Sequence, residues 1–235
     1  MIEPMKTTRL WQCIALLLCL FPLSNVYALN ISSVFETTEI PTSDDHHHDN
    51  HGTKTNKWYF WRTDTEVEVA NADRSFGEKW IKSSKNNIFY QVLYHDKKFL
   101  INFQPVDLML LGKKENWENR SELFPPSVLK QLKKQGTDSF KQYQVVNYEG
   151  TVSGIDYKVA WLPELQLPLR VEKTSPELKI ITELLEIYPL ENTPFKRANT
   201  ELYEDMDYAD IGDNESHPIV SQLQNNSGIG YFHHH

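Results

Sequence analysis

The sequence predicts an α+β protein: a curved antiparallel β-sheet with one or two covering helices. Two observations predict this class. Short runs rich in aromatic and β-branched residues follow one another with turns about every 8–12 residues, and one clear stretch has the spacing of a helix. Sequential strands with so few helices form an antiparallel sheet whose concave face needs a cover. We also expect a disordered N-terminal arm and an acidic C-terminal tail.

The first half of the domain is predicted to be a meander of strands. The pattern is clearest where Val67 and Val69 alternate with Glu66 and Glu68, which is the period of a strand with one buried face. His95 begins a hairpin turn. The predicted strands are residues 58–61, 66–69, 76–81, 88–94 and 99–103.

The middle of the chain breaks this pattern. Pro105 interrupts the last strand, and the apolar residues 108–111 predict a short helix or turn that ends at Gly112. Pro126 then lies at the start of a predicted helix that stops at Gly136, since proline favours the first helical turn and glycine the position after the last. A covering helix is therefore expected between two groups of strands.

The second half is predicted to be another meander, with a tight turn at Gly154. Residues 178–188 would also suit a helix, but their place after the meander favours a final strand. From Glu191 the chain is polar and acidic, with a short helix expected near residues 219–223. The predicted strands of this half are residues 143–152, 155–162, 167–173 and 178–188.

This second half also carries a resemblance to a known family. The residues concerned are Tyr148-Glu149-Gly150-Thr151-Val152 and Tyr157-Lys158-Val159-Ala160-Trp161-Leu162-Pro163-Glu164-Leu165-Gln166-Leu167-Pro168-Leu169-Arg170-Val171-Glu172. They resemble a strand-turn-strand element of the bacterial lipoprotein-carrier superfamily, which includes the Lol-type carriers and the related sigma-factor-regulator sensor domains. The resemblance implies a half-open antiparallel barrel, plugged by helices, that holds acyl chains or a lipidated partner.

Residues 1–28 are predicted to be a secretory signal peptide. Lys6 and Arg9 form its basic region, residues 14–23 its apolar region, and Ala28 the last residue before cleavage. An apolar region of about ten residues is shorter than the roughly 20 needed to span a bilayer, and we expect no transmembrane segment in the mature chain. Lipidation at Cys19 is less favoured, because leucine precedes it. We therefore expect a periplasmic protein without cysteine.

Composition bounds the remaining organisation and the partners. We expect a disordered histidine-rich arm over residues 29–57, the domain over residues 58–190 and an acidic, partly ordered tail over residues 191–235. The net charge of the 235-residue chain is −8. An acidic surface disfavours nucleic acid and anionic membranes as partners.

Histidines form the first candidate site. They lie in a short acidic segment and near the end of the tail, and neutral imidazoles beside carboxylates can coordinate zinc, nickel or copper. Consecutive histidines in a flexible arm do not preform a coordination shell, so binding would be weak, and a solvated linker with incidental affinity is the simpler interpretation. We expect no tightly held cofactor. The candidate ligands are His46, His47, His48, His51 and His217.

Aromatic residues form the second candidate site. They could line a hydrophobic ligand cavity in the concave face, although alternating aromatics more often fill a strand core. No phosphate loop, dinucleotide fingerprint, H-E-x-x-H pair or nucleophile elbow is present, which favours a non-enzymatic protein. We expect it to bind an apolar or acylated ligand or an envelope protein, with metal binding or sensing as the alternative. The cavity candidates are Trp61, Trp80, Phe89, Phe103 and Trp161.

Overall fold

The computed structural model describes residues 30–42, 52–214 and 217–220. In these residues the strands are β1 (Ile31–Pro41), β2 (Lys54–Arg62), β3 (Glu66–Asn71), β4 (Phe76–Lys82), β5 (Ile88–Tyr94), β6 (Phe99–Phe103), β7 (Lys133–Phe140), β8 (Tyr143–Val152), β9 (Ile155–Leu162), β10 (Leu167–Thr174), β11 (Leu178–Pro189) and β12 (Glu204–Asp207). The helices are α1 (Pro105–Leu110), α2 (Trp117–Ser121) and α3 (Pro126–Leu129), and short 3₁₀ turns cover Leu190–Asn192, Thr200–Leu202, Tyr208–Asp210 and Gly212–Asn214.

One sheet contains all of these strands, in the order β12-β6-β5-β4-β3-β2-β1-β11-β10-β9-β8-β7. β1 lies at its centre and pairs antiparallel with β2 and β11. The strands from β2 to β6 form one antiparallel meander, and those from β7 to β11 form a second. β12 pairs in parallel with β6 at one edge. This is the fold class that the sequence predicts.

The connection between β6 and β7, residues 104–132, has to cross the sheet because these strands lie near opposite edges. We call this connection, which contains α1, α2 and α3, the helical cover. Leu108 and Leu123 of the cover pack in the main core cluster with β4, β5 and β6. Phe124 and Leu132 pack in a second cluster with β9 and β10. The cover therefore lies over one face of both meanders.

The disordered arm expected over residues 29–57 is largely replaced by sheet in its described part. β1 lies inside this segment and is hydrogen-bonded on both sides, and β2 begins there too. The segment has few large apolar residues, but Ile31 and Phe35 are buried, and Ser32 and Ser33 are small enough to be buried beside them. A strand between two neighbours satisfies its backbone groups, so it orders with less apolar surface than an isolated segment needs.

The helix predicted between Pro126 and Gly136 is shorter than expected. α3 ends at Leu129, and β7 runs through Gly136. The register between β7 and β8 shifts beside this glycine, and glycine inside a strand commonly marks such a bulge. The glycine thus belongs to the sheet and does not end the helix.

Other element predictions are confirmed, among them the uncertain strand at residues 178–188, which is β11. The apolar stretch before Gly112 forms α1. α2 was absent from the prediction. It is capped by Asn116, whose side chain accepts hydrogen bonds from the backbone N–H groups of Glu118 and Asn119.

The acidic tail extends the sheet past residue 190, because β12 belongs to it. Residues 218–220 are helical, whereas the rest of the short helix expected near residues 219–223 lies outside the described residues. The predicted signal peptide, residues 1–28, also lies outside them. In the described part of the chain, no helix has the length and apolar character needed to span a membrane.

Candidate ligand-binding cavity

A cavity of about 620 Å³ lies on the face of the sheet that the helical cover partly fills. Its walls come from the adjacent strands β4, β3, β2, β1, β11 and β10 and from Leu123 of the cover. Its volume falls within the range of about 300–1,000 Å³ that small-molecule pockets occupy. Its large apolar wall residues include Trp58, Val69, Phe76 and Ile180.

The sheet forms this cavity by curving around it. β4 and β10 are five strand steps apart, which is about 24 Å in a flat sheet. Glu78 of β4 and Lys173 of β10 nevertheless line the same cavity. The cavity therefore lies on the concave face.

The cavity occupies one end of the concave face. Thr37 and Glu39 belong to the last part of β1, and the register places Asn56 of β2 and Thr182 of β11 beside Thr37. At its opposite end, near Ile31, β1 contributes no residue to the cavity lining. The helical cover reaches that opposite end and leaves the Thr37 end open.

Arg62 fastens the cover to the closed end. Its guanidinium donates hydrogen bonds to the carbonyl oxygens of Leu165 at 2.6 Å, Ser121 at 2.7 Å and Gln166 at 3.3 Å. Burial lowers the pKa of Arg62 to about 10. The Arg62 side chain thus joins β2, the cover and the β9–β10 turn, and it holds the cover at this end of the concave face.

Trp58 lies at the centre of the cavity wall and is held in place from two directions. Its indole N–H donates to Thr37 Oγ1 at 3.0 Å, and that hydroxyl lies 3.1 Å from Thr182 Oγ1. Its ring stacks on Phe35 with centroids 4.6 Å apart and planes 14° apart. The apolar surface that Trp58 offers to the cavity is therefore ordered before any ligand arrives.

Lys173 is the basic residue of the β10 wall. The register pairs it with Ile180 on β11 and Tyr157 on β9. Burial lowers the pKa of the Lys173 ammonium. Among the described residues, none forms a hydrogen bond or ion pair with its Nζ. The cavity thus contains a partly buried cationic group without a protein counter-ion in this part of the structure.

Carboxylates line other parts of the cavity. Glu78 stands on the opposite wall, where its Oε1 accepts a hydrogen bond of 2.6 Å from the Tyr90 hydroxyl. Asp73 lies exposed in the β3–β4 turn and accepts from the backbone N–H of Ser75. Glu39 follows Thr37 towards the end of β1. The cavity thus has a partly buried cation on β10 and carboxylates on other walls. Lys57 of β2 also lines it, but its ammonium is exposed and lies 3.9 Å from Glu36.

The five aromatic residues predicted to line a cavity lie away from this one. Trp80 and Phe103 belong to the main core cluster, and Trp161 to the cluster beneath the cover. Trp61 belongs to a third cluster on the convex face. Phe89 is partly buried. None of the five is among the residues that line the cavity.

The predicted histidine ligands are not assembled into a metal centre in the described residues. His217 Nε2 lies 3.2 Å from Glu204 Oε1, and its ring stacks on Phe99. In the described ranges, no three His, Cys, Asp or Glu side chains are placed to hold a metal ion. Four of the predicted ligands lie outside those ranges: His46, His47, His48 and His51.

The convex face of β2 and β3 is covered by residues 190–203, which we call the C-terminal strap. Phe195 of the strap packs against Trp61, whose indole N–H donates to the Phe195 carbonyl oxygen at 3.1 Å. Arg197 donates to Glu66 Oε2 at 2.7 Å. The strap then leads into β12 at the sheet edge.

Glu68 lies buried beneath the strap. Burial raises its pKa to about 7, although Arg197, 3.9 Å away, and Lys79 oppose this change. Its Oε1 has no hydrogen-bond partner among the described residues. Further along the strap, the Tyr203 hydroxyl lies 3.0 Å from His95 Nδ1. The convex face thus buries ionisable groups, and its large side chains pack against one another.

α1 exposes a group of apolar side chains to solvent. Val106 is 52% exposed, Met109 68%, Leu110 78% and Leu111 39%. We call this surface the α1 patch. Large exposed apolar patches commonly mark contact sites for other molecules, so the patch is a second candidate surface.

No family model and no curated protein matches this chain. Solved structures do match. A structure of PNGF-II has a TM-score of 0.37 and 12% identity over 77% of this chain, and the chain spans about a third of its length, 32%. The Pseudomonas aeruginosa MucA/MucB complex has a TM-score of 0.37 and 13% identity, with 77% of this chain and 57% of that one covered.

A third match is an outer membrane lipoprotein-sorting protein domain from Vibrio parahaemolyticus. It has a TM-score of 0.31 and 9% identity, with 74% of this chain and 90% of that domain covered. The lipoprotein-carrier class that the sequence resembles is thus represented among the structural neighbours. At these TM-scores and identities the matches carry no argument about what this chain binds, which has to come from its own residues.

Proposed function

We propose that this chain is an exported, periplasmic binding protein that takes an apolar or acylated ligand into the concave cavity, and that it acts by binding and not by catalysis. The observation that carries this proposal is the cavity itself. It is open at one end, has a volume of about 620 Å³, and has large apolar side chains in its walls. Concave, mainly apolar sites with a few polar groups are the usual form of small-molecule sites.

The wall is suited to binding because it is ordered in advance. Trp58 is fixed by Phe35 and Thr37, so little side-chain entropy is lost when a ligand packs against it. Each CH₂ group removed from water contributes about 0.8 kcal/mol. An acyl chain lying along Trp58, Val69 and Leu123 would gain affinity in this way.

Export is compatible with the fold. Cleavage after Ala28 would leave Leu29 and Asn30 ahead of β1, so it would remove no part of the sheet. N-terminal sequencing of the protein from the envelope tests the export step, and we expect it to begin at Leu29.

Native mass spectrometry tests the binding function. The protein is purified from its own envelope without a metal column, and its mass is measured before and after organic extraction. We expect an apolar adduct that extraction removes. Ile180→Trp should lack the adduct because Ile180 lines the cavity. Ile181→Trp is the matched control, since successive strand residues face opposite sides. An adduct that persists equally in both variants would contradict the proposal.

A second candidate function is docking to an envelope protein, and the α1 patch is the observation that favours it. Its exposed apolar side chains are available for a partner's apolar surface. Replacing Val106, Met109 and Leu110 by serine should abolish such docking without changing cavity binding. Crosslinking in the envelope compares the variant with the wild type, and equal crosslinked species in both would contradict this candidate.

Metal binding through His46, His47, His48, His51 and His217 stays a prediction. Measuring the mass of the same protein before and after chelation tests this prediction. A metal that is present at one per chain and is lost on chelation would support this alternative.

A further inference from the structure

We propose that the cavity selects ligands that carry an anionic end group on a single apolar chain, and that the Lys173 ammonium binds that end group. This inference rests on the proposed cavity function and names its ligand class. The end group is a carboxylate or a phosphate.

Lys173 lies within the apolar wall of the cavity. It lies on β10 two residues after Val171, and both line the cavity. Its register neighbour Ile180 is an apolar wall residue. Lys173 thus places a cationic group beside an apolar wall, and a ligand in contact with both must be amphiphilic.

This placement has a cost. Lys173 is partly buried and has no partner among the described residues, which is unfavourable for an ammonium, and its lowered pKa reflects that desolvation. Elsewhere on the same strands the basic groups are paired. Lys179 lies 2.8 Å from Glu172, and Arg170 bonds to Glu183. An anionic ligand would give Lys173 a counter-ion, as those carboxylates do for Lys179 and Arg170.

The carboxylates of the cavity define the orientation. Glu78 is on the wall opposite Lys173, and Asp73 lies in the exposed β3–β4 turn. An anionic end group is repelled from both and attracted to the β10 wall. The apolar chain then lies against Trp58 and Phe76, between the two walls.

Calorimetric titration with a series of ten-carbon amphiphiles tests the proposal. The probes are decanoate, decyl phosphate, decanol and decyltrimethylammonium, which share one chain and differ in end group. We expect the anionic probes to bind the wild type at least about tenfold more tightly than decanol, because charge-assisted hydrogen bonds contribute about 1.5–3 kcal/mol. A preference between decanoate and decyl phosphate identifies which anion fits.

Lys173→Met should remove this anionic preference and leave decanol affinity unchanged. Lys158→Met is the matched control, since Lys158 is an exposed lysine of β9 that does not line the cavity. Lys173→Met should also fold at least as stably as the wild type, because it removes a partly buried charge that no described residue pairs with. The loss of anion binding then has a functional cause.

Three outcomes would contradict the account. Equal affinities for decanoate and decanol in the wild type, or an unchanged preference in Lys173→Met, would overturn the anionic selection but keep the cavity function. Binding of none of the four probes would overturn both.

Discussion

The concave and convex faces of the sheet are built from the same strands and are both crossed by another part of the chain, but they are packed differently: the cavity of about 620 Å³ lies on the concave face. On the convex face the C-terminal strap inserts Phe195 against Trp61 and fills the space. On the concave face Leu123 is the residue of the helical cover that lines the cavity, and the space beyond it stays open. Both faces carry aromatic residues, so the cavity arises from where the cover stops and not from composition.

Releasing the cover from the sheet should have the largest effect. Arg62→Met removes three hydrogen bonds to carbonyl oxygens and leaves buried acceptors unpaired. We expect a loss of about 3–4 kcal/mol in the free energy of unfolding, measured by urea denaturation. Arg74→Met, which removes a cation–π contact with Tyr59 on the convex face, should cost less than about 1 kcal/mol. Equal losses would show that Arg62 does not anchor the cover.

Emptying the convex face tests whether its packing is as tight as the structure indicates. Phe195→Ala should cost about 3 kcal/mol, as truncation of a buried phenylalanine does. Leu123→Ala enlarges a cavity that already exists and should cost less. Ligand affinity should fall only in Leu123→Ala. A fall in affinity caused by Phe195→Ala would mean that the two faces do not act separately.

The buried Glu68 gives the convex face a dependence on pH. Its pKa is about 7 in the folded protein and 4.5 for an ordinary glutamate, so the folded state holds the proton more tightly. The resulting stabilisation is fully present below pH 4.5 and is lost as the pH rises through 7. We expect a decrease of about 2–3 kcal/mol across this window, measured by denaturation at several pH values.

Glu68→Gln should remove this dependence. Glu66→Gln is the control, because the pKa of Glu66 changes in the opposite direction. Burial raises that pKa, but Arg197 and Lys79 together outweigh burial and lower it. A Glu68→Gln profile that still falls between pH 4.5 and 7 would contradict the assignment.

The smallest expected effect is on the concave face. Lys173→Met should raise the Tm of the ligand-free protein by a few degrees at most, because it removes the desolvation of an ammonium that has no partner among the described residues. Differential scanning calorimetry compares it with Lys158→Met, which should leave the Tm unchanged. A clear fall in Tm would mean that Lys173 has a structural role.

The strands of both meanders could be predicted because their apolar alternation is local. β1 could not, since the burial of Ser32 and Ser33 depends on strands that lie on both sides of it in space. β7 could not be predicted for a similar reason. Gly136 follows an apparent helical pattern, and only the pairing of β7 with β8 shows that this glycine lies at a bulge.

The residues that line the cavity differ from the five aromatic residues that the sequence suggests. Trp58 and Trp61 belong to one aromatic run. They lie on opposite faces because side chains alternate along a strand, but the sequence alone does not show which of them faces the cavity. The level at which the cover stops depends on Arg62 and the carbonyl groups it binds, which are distant in sequence. Lys173 gave no signal, because a lysine in a strand is ordinarily interpreted as solvent-facing.

The most direct test of the cavity as the binding site is an NMR spectrum of the protein with a spin-labelled fatty acid, which broadens signals close to the bound chain. The account predicts strong broadening of the Trp58 indole signal and the Val171 amide, with Met109 on α1 and Phe195 on the strap unaffected. Broadening centred on Met109 or Phe195, with Trp58 unchanged, would contradict it.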